Sequence, residues 1–184
     1  MNINETLKHY FGYDSLRPGQ QELIEGILQR KDVLGIMPTG AGKSLCYQVP
    51  ALMLDGITIV VSPLISLMTD QVKALNQAGV HAAYINSSLT DNQIRTALFY
   101  AAQGRYKIIY VAPERLNTIR FLEFACQVDI SMVTVDEAHC ISQWGQDFRP
   151  SYVGIADFLA QLPKRPVVSA FTATATERVK QDIM

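Results

Sequence analysis

The chain has 184 residues, 48% hydrophobic and 18% charged, which is enough to bury one sizeable core and short for several domains. Sixteen basic residues against seventeen acidic ones give a net charge of −1, which is not the footprint of a strongly basic nucleic-acid module, so any such contact must rest on locally placed groups. No segment approaches the roughly 18 uninterrupted apolar residues of a membrane span, the opening Met1-Asn-Ile-Asn-Glu lacks the features of a secretory signal, and Cys46, Cys126 and Cys140 form no C-x-x-C pair, so a reducing, cytoplasmic setting without disulfides or a zinc cluster is expected.

Arg17-Pro-Gly-Gln opens the first predicted helix, with Pro18 suited to a first helical turn, and that helix runs to about Gln29. The apolar run Val33–Ile36 comes next, then Met37-Pro-Thr-Gly-Ala-Gly-Lys-Ser44, with a helix starting at Lys43. Ile57–Val61 reads as a strand and Leu64–Ala78 as a helix closed by Gly79. After the strand Ala82–Ile85, Thr90-Asp-Asn-Gln93 forms a capping box for a helix ending near Gly104. Ile108–Val111, Met132–Val135 and Val167–Phe171 are further strands, interleaved with the helical stretches Thr118–Gln127 and Ser151–Gln161. These runs show little polar alternation, as expected of strands covered on both faces. Strand–helix alternation with short turns predicts an α/β fold with a doubly wound, mostly parallel sheet. There is no internal repeat, low-complexity tract or linker.

The strands share a property at their carboxyl ends. Val33–Ile36 runs into Met37-Pro-Thr-Gly, Ile57–Val61 into Ser62-Pro-Leu, and Ile108–Val111 into Ala112-Pro-Glu-Arg. Met132–Val135 runs into Asp136-Glu-Ala-His and Val167–Phe171 into Thr172-Ala-Thr. Ligands of open parallel sheets sit outside the carboxyl ends of the strands, so these polar clusters should meet along one edge.

The first cluster carries the clearest chemistry. A strand, a glycine-rich turn and a helix start present N–H groups and a positive dipole end to an anion. Gly40 and Gly42 let the backbone approach phosphate oxygens, Lys43 can neutralise the β- and γ-phosphates, and the Ser44 hydroxyl can hold Mg²⁺. The general phosphate-loop pattern has glycine where this chain has Met37, so the match is incomplete at one position. Asp136 and Glu137 point in different directions at a strand end and suit different tasks. Asp136 can hold Mg²⁺, directly or through water, and Glu137 can polarise an attacking water. The bland alternative for the pair is a solvated turn.

Thr-Gly-x-Gly-Lys-Ser together with Asp136-Glu-Ala-His139 resembles the motif pair of superfamily 2 helicases. The segment Cys140-Ile-Ser-Gln-Trp-Gly-Gln-Asp-Phe-Arg-Pro150 resembles the aromatic-rich loop of the RecQ family of DNA helicases. Phe11-Gly-Tyr with Leu16-Arg-Pro-Gly-Gln20 is similar to that family's motif 0, and Ser62-Pro-Leu-Ile-Ser-Leu-Met-x-Asp-Gln71 to its motif Ia. Val111-Ala-Pro-Glu-Arg115 and Phe171-Thr-Ala-Thr-Ala175 are similar to motifs Ib and III. The likeness covers nearly the whole chain in the expected order.

The resemblance implies a first RecA-like, P-loop NTPase lobe over residues 1–184, with N-terminal helices and motif 0 in residues 1–30. It implies that Tyr13, Arg17 and Gln20 meet the adenine, and that Thr39, Gly40, Ala41, Gly42, Lys43, Ser44 and Leu45 hold Mg-ATP. It gives Lys43, Asp136, Glu137 and His139 catalytic roles, with Ser44 and Asp136 at the metal and His139 near the γ-phosphate. Ser62, Ser66, Gln71 and Arg115 would lie along the DNA track. Gln143, Trp144, Asp147, Phe148 and Arg149 would sense single-stranded DNA, with Thr172 and Thr174 linking ATP state to a second lobe.

Each role has a plainer counterpart. Tyr13 and Arg17 could staple the first helix, and His139 could simply start a helix. Ser62 and Ser66 could cap one, and Thr172 or Thr174 could cap the final helix. Trp144 and Phe148 could be core anchors.

Helicases of this type use two such lobes in one chain and act on single-stranded and forked DNA, with 3′-to-5′ polarity as a family property. No second motif set, and none of the family's zinc-binding or winged-helix modules, can be read here. This chain alone is therefore expected to bind nucleotide weakly, to hydrolyse it slowly or not at all, and not to unwind duplex. A DEAD-box-like RNA helicase lobe and a non-catalytic nucleotide-binding module are the rival readings. His139 and the Ser142-Gln-Trp-Gly loop disfavour the first, and intact Lys43 and Glu137 the second.

Overall fold

The computed structural model describes residues 1–145 and 147–184. Its sheet consists of β1 (Val33–Ile36), β2 (Ile57–Val61), β3 (Ala82–Ile85), β4 (Ile108–Val111), β5 (Ile130–Val135) and β6 (Val167–Thr172). The strands are all parallel, in the order β1-β6-β5-β2-β4-β3. Order and direction together place every strand's carboxyl end on one edge, as the sequence implies.

The helices are α1 (Ile3–Thr6), α2 (Gln20–Leu28), α3 (Lys43–Met53), α4 (Ile65–Gln77), α5 (Asp91–Ala102), α6 (Ile119–Gln127), α7 (Pro150–Gln161) and α8 (Glu177–Ile183). A π-helical turn, Leu7–Phe11, follows α1, and 3₁₀ turns sit at Pro113–Arg115 and Ala138–Ile141. Side chains alternate across a strand, so Ile59 and Val61 enter one core with α5, α6 and α7, while Val60 enters the other with α2, α3 and α4. Burial on both faces is why these strands read as unbroken apolar runs.

Several expected boundaries are adjusted. The Thr90 capping box forms as predicted, its hydroxyl accepting from the Gln93 N–H while the Gln93 side chain accepts from the Thr90 N–H. Pro18 does not enter the first predicted helix. Gly19 takes φ +84 and α2 starts at Gln20, because Arg17 and Gln20 are needed elsewhere. The final helix is capped by Thr176, whose hydroxyl accepts from Val179, so neither Thr172 nor Thr174 is its cap.

Candidate active site

The phosphate loop leaves β1 at Met37, whose N–H donates to the Thr172 carbonyl at 2.9 Å and ties the loop to the end of β6. Met37 is buried, with its sulfur 3.6 Å from that of Cys46 on α3. The residue that departs from the general glycine pattern is thus a core anchor for the loop. Gly40 and Gly42 both have φ +81. A Cβ on Gly40 would meet open space, whereas one on Gly42 would lie 2.4 Å from Gln20 Nε2.

Arg17 and Gln20 explain that crowding. The Arg17 guanidinium donates to the Gly40 carbonyl at 2.7 Å, and Gln20 Nε2 donates to the carbonyls of Ala41 (3.3 Å) and Gly42 (3.1 Å). Gln20 Oε1 accepts from the Arg17 N–H at 2.7 Å. Three successive loop carbonyls are held by motif 0, so Arg17 does more than staple its own helix. Tyr13 stands exposed beside them.

The acidic pair faces the loop from β5. Asp136 extends the strand pairing, its N–H donating to the Val61 carbonyl at 2.9 Å. Its carboxyl is buried, and this burial, then the neighbouring Glu137 charge, raises it from the usual carboxylate range to about 6, against the pull of Lys43. Glu137 has φ 50 and ψ 46, a left-handed conformation that costs a non-glycine residue about 1 kcal/mol or more. The surroundings hold it there. Tyr152 donates its hydroxyl to the Asp136 carbonyl (2.8 Å), Cys140 N–H donates to the Glu137 carbonyl (2.9 Å), and Glu137 N–H donates to Asp136 Oδ1 (3.0 Å).

This backbone aims the Glu137 carboxylate between Lys43 (3.6 Å) and His139 (3.4 Å). His139 Nδ1 lies 2.8 Å from Thr172 Oγ1, which gives its own proton to the Thr174 carbonyl at 3.1 Å. With that proton spent, Thr172 must accept, which assigns the imidazole proton to Nδ1. His139 therefore joins the acidic pair to the end of β6, and Thr172 is a buried partner of His139.

A cleft of about 400 Å³ opens between these groups. Tyr13, Arg17, Gln20, Thr39, Gly40, Gly42, Lys43, Ser44 and Leu45 line it with Asp136 and Glu137. Ala41 contributes its carbonyl to Gln20 and stays off the wall. Sequence reading missed Ser15 and Leu67, which also line the cleft. Ser15 sits inside the motif 0 stretch, so its position was the available signal; nothing local marks Leu67.

The residues assigned to a strand-binding track lie along the same edge. Helix α4 starts after Leu64 with no side-chain cap, so neither Ser62 nor Ser66 caps it. Ser62 is buried and its hydroxyl has no partner among the described residues; Arg115 Nε is in the same condition. Ser66 is exposed in the first turn of α4, and Gln71 Oε1 accepts from Gln48 at 2.8 Å.

The aromatic-rich loop behaves differently. Trp144 is 63% exposed, which overturns the core-anchor alternative for it, and Arg178 of α8 covers its ring at 3.7 Å. Phe148 is half-buried, and Gln143 and Thr174 are exposed. Arg149 forms a two-pronged pair with Asp147 at 3.1 and 3.2 Å. His139, Cys140 and Asp147 offer ligand atoms within 4.8 Å of one another, but Asp147 is taken by Arg149 and burial raises the Cys140 thiol to about 11.

Comparison with known proteins agrees with this geometry. The DEAD/DEAH box helicase family matches residues 17–183. The chain belongs to that family. Among similar helicases, it is 53% identical to the ATP-dependent DNA helicase RecQ of Bacillus subtilis over 178 residues, 96% of this chain and 30% of that protein. It is 47% identical to the RecQ of Haemophilus influenzae over 179 residues, 97% of this chain and 29% of that protein. The chain thus spans about 30% of the length of the curated relatives it matches. A solved hypothetical ATP-dependent RNA helicase from Sulfolobus tokodaii superposes with TM-score 0.74 at 22% identity, covering 100% of this chain and 54% of that one. At that identity the likeness speaks for the fold, a RecA-like helicase domain.

Within this helicase domain, Tyr152 and Arg178 are the positioning residues that motif reading left out. Tyr152 lies outside the quoted motifs, and the pairing of Arg178 with Trp144 depends on where α8 packs.

Proposed function

We propose that this chain is the ATP-binding lobe of a RecQ-type DNA helicase, working with a second RecA-like lobe of the same protein on single-stranded and forked DNA. The observation that carries the reading is the continuous line Lys43–Glu137–His139–Thr172 beside a cleft walled by motif 0 and the phosphate loop. Its ATP use accords with the family.

In this reading the loop N–H groups, the start of α3 and Lys43 take the phosphates, while Tyr13 takes the face of the adenine and Gln20, whose N–H₂ is spent on loop carbonyls, keeps only a lone pair of Oε1 for its edge. Glu137 accepts a proton from the attacking water, and His139, 3.4 Å from that carboxylate and donating its Nδ1–H to Thr172, relays its state to the end of β6. The donor set suits Mg²⁺: Asp136 is a buried carboxylate whose charge its surroundings disfavour, the condition a divalent cation corrects. Ser44 and Asp136 would hold the ion, which would supply charge neutralisation at the phosphates.

On the nucleic-acid side, Ser62 Oγ and Arg115 Nε have no hydrogen-bond partner among the described residues, and a hydroxyl and a guanidinium are groups that phosphate contacts use. Trp144 and Phe148 offer stacking faces, and Arg149 a cation that an exposed carboxylate holds only weakly. Among the described residues no helix is long and apolar enough to cross a membrane.

The test is ATP hydrolysis by the two-lobe protein with single-stranded DNA and with RNA, beside the same assay on this chain alone. DNA should stimulate the two-lobe protein strongly, RNA weakly, and the isolated chain should turn over slowly. Stimulation by RNA equal to that by DNA would favour an RNA helicase. Turnover unaffected by Glu137→Gln would favour a non-catalytic module.

A further inference from the structure

The core between the sheet and helices α3 and α4 contains a line of polar side chains that the active site does not account for. Tyr47 and Tyr110 belong to that apolar core and are 2% and 1% exposed; Gln48 on α3 is 5% exposed. Gln48 Nε2 gives both its protons away, one to the Tyr110 hydroxyl at 3.0 Å and one to Gln71 Oε1 on α4 at 2.8 Å. The Tyr110 hydroxyl lies 3.5 Å from that of Tyr47, which sits one helical turn past Ser44 on α3. Burial keeps both phenols neutral, pushing Tyr110 up to about 12.

Phenylalanine, leucine or methionine could fill these positions without the desolvation that a buried hydroxyl or amide incurs. What a satisfied buried network adds is uniqueness: it holds its members in one arrangement. Here the ends matter. One end is Tyr47 on α3, one turn past Lys43 and Ser44 at the phosphate loop. The other is Gln71 on α4, whose Oε1 accepts from Gln48, which leaves its N–H₂ as the group with protons to give, and phosphate oxygens take donors.

We propose that the buried chain Tyr47–Tyr110–Gln48–Gln71 couples α3, which begins at the phosphate loop, to α4, with Tyr110 and Gln48 as positioning residues for DNA-stimulated ATP hydrolysis. The link rests on the helicase reading above. A change in the seating of α4 when Gln71 meets a phosphate is transmitted through two side-chain amides and two phenols to the first turns of α3, which carry Lys43 and Ser44.

The test uses the two-lobe protein with Tyr110→Phe and, separately, Gln48→Met, measuring ATP hydrolysis with and without single-stranded DNA, KM for ATP and thermal unfolding. Losing a buried hydrogen bond should cut the stimulation ratio by about tenfold in each variant, with the unstimulated rate and KM within about twofold of the parent. The link is overturned if both variants keep the parent's ratio, if stimulated and unstimulated rates fall together, or if neither variant folds, since each result assigns the network to structure alone. A parent protein that DNA does not stimulate would instead sink the helicase reading, and the link with it.

Discussion

The nucleotide cleft and the aromatic-rich loop are built from the same kinds of residue but held in opposite ways. In the cleft, the central polar side chains are tied to other elements. Gln20 holds the phosphate loop, Thr172 holds His139, and Tyr152 holds the peptide that forces Glu137 into a left-handed conformation. In the loop, Arg149 is paired with its neighbour Asp147, and Trp144 lies on the surface under Arg178. Exposed pairs of this kind are worth about 0–1 kcal/mol and are easily exchanged. The proposed roles fit this difference: chemistry needs fixed geometry, while a sensor needs partners it can trade.

The largest test of the fixed half is Glu137→Gln in the two-lobe protein. It should lower the DNA-stimulated turnover number by about 10²–10⁴ while ATP binding survives; a loss of only a few-fold would place the proton acceptor elsewhere.

Gly42→Ala probes the same half through stability. The new Cβ would meet Gln20 in a backbone conformation unsuited to alanine, so unfolding of the chain should become about 1–3 kcal/mol easier. An unchanged midpoint would mean the loop is not held by Gln20.

The buried acid gives a pH signature. The folded Asp136 keeps its proton up to about 6, whereas the unfolded residue loses it near 3.8. Its contribution is therefore fully present below 3.8 and is lost as pH rises through about 6, with a slope of at most about 1.4 kcal/mol per pH unit. Asp136→Asn should flatten that fall and raise stability at neutral pH. A parent and variant with parallel pH profiles would contradict the buried charge.

The exchangeable half predicts a different pattern. Trp144→Ala should leave the unfolding midpoint within about 0.5 kcal/mol of the parent yet weaken single-stranded DNA binding by about 1–3 kcal/mol. Arg178→Ala should have the smallest effect, about 0.5–1 kcal/mol on DNA binding, through loss of the cation above the indole. If Trp144→Ala destabilised the fold instead, the two regions would not differ as described.

Much of the fold was legible because its signals are local. Two-face burial leaves apolar runs in the sequence, so the strand positions could be read, with β5 and β6 extending by one or two residues where pairing with a neighbour continues. The Thr90 capping box is likewise contained in four residues. Pro18 misled because a helical start was the local preference, while the Arg17 and Gln20 side chains are engaged by loop carbonyls more than twenty residues away. Trp144 looked equally suited to core or surface, since an aromatic residue carries no mark of which side it faces.

By itself, the sequence determined the alternation of strands and helices, the phosphate loop, the acidic pair and the order of the motifs. These depend on spacing along the chain and on residue chemistry. The tertiary structure decided which groups face one another: that Glu137 lies between Lys43 and His139, that Thr172 orients the imidazole, that Arg178 covers Trp144, and that Tyr47 connects to Gln71 through Tyr110 and Gln48. Those pairings join residues far apart in sequence, and strand order and helix packing set them.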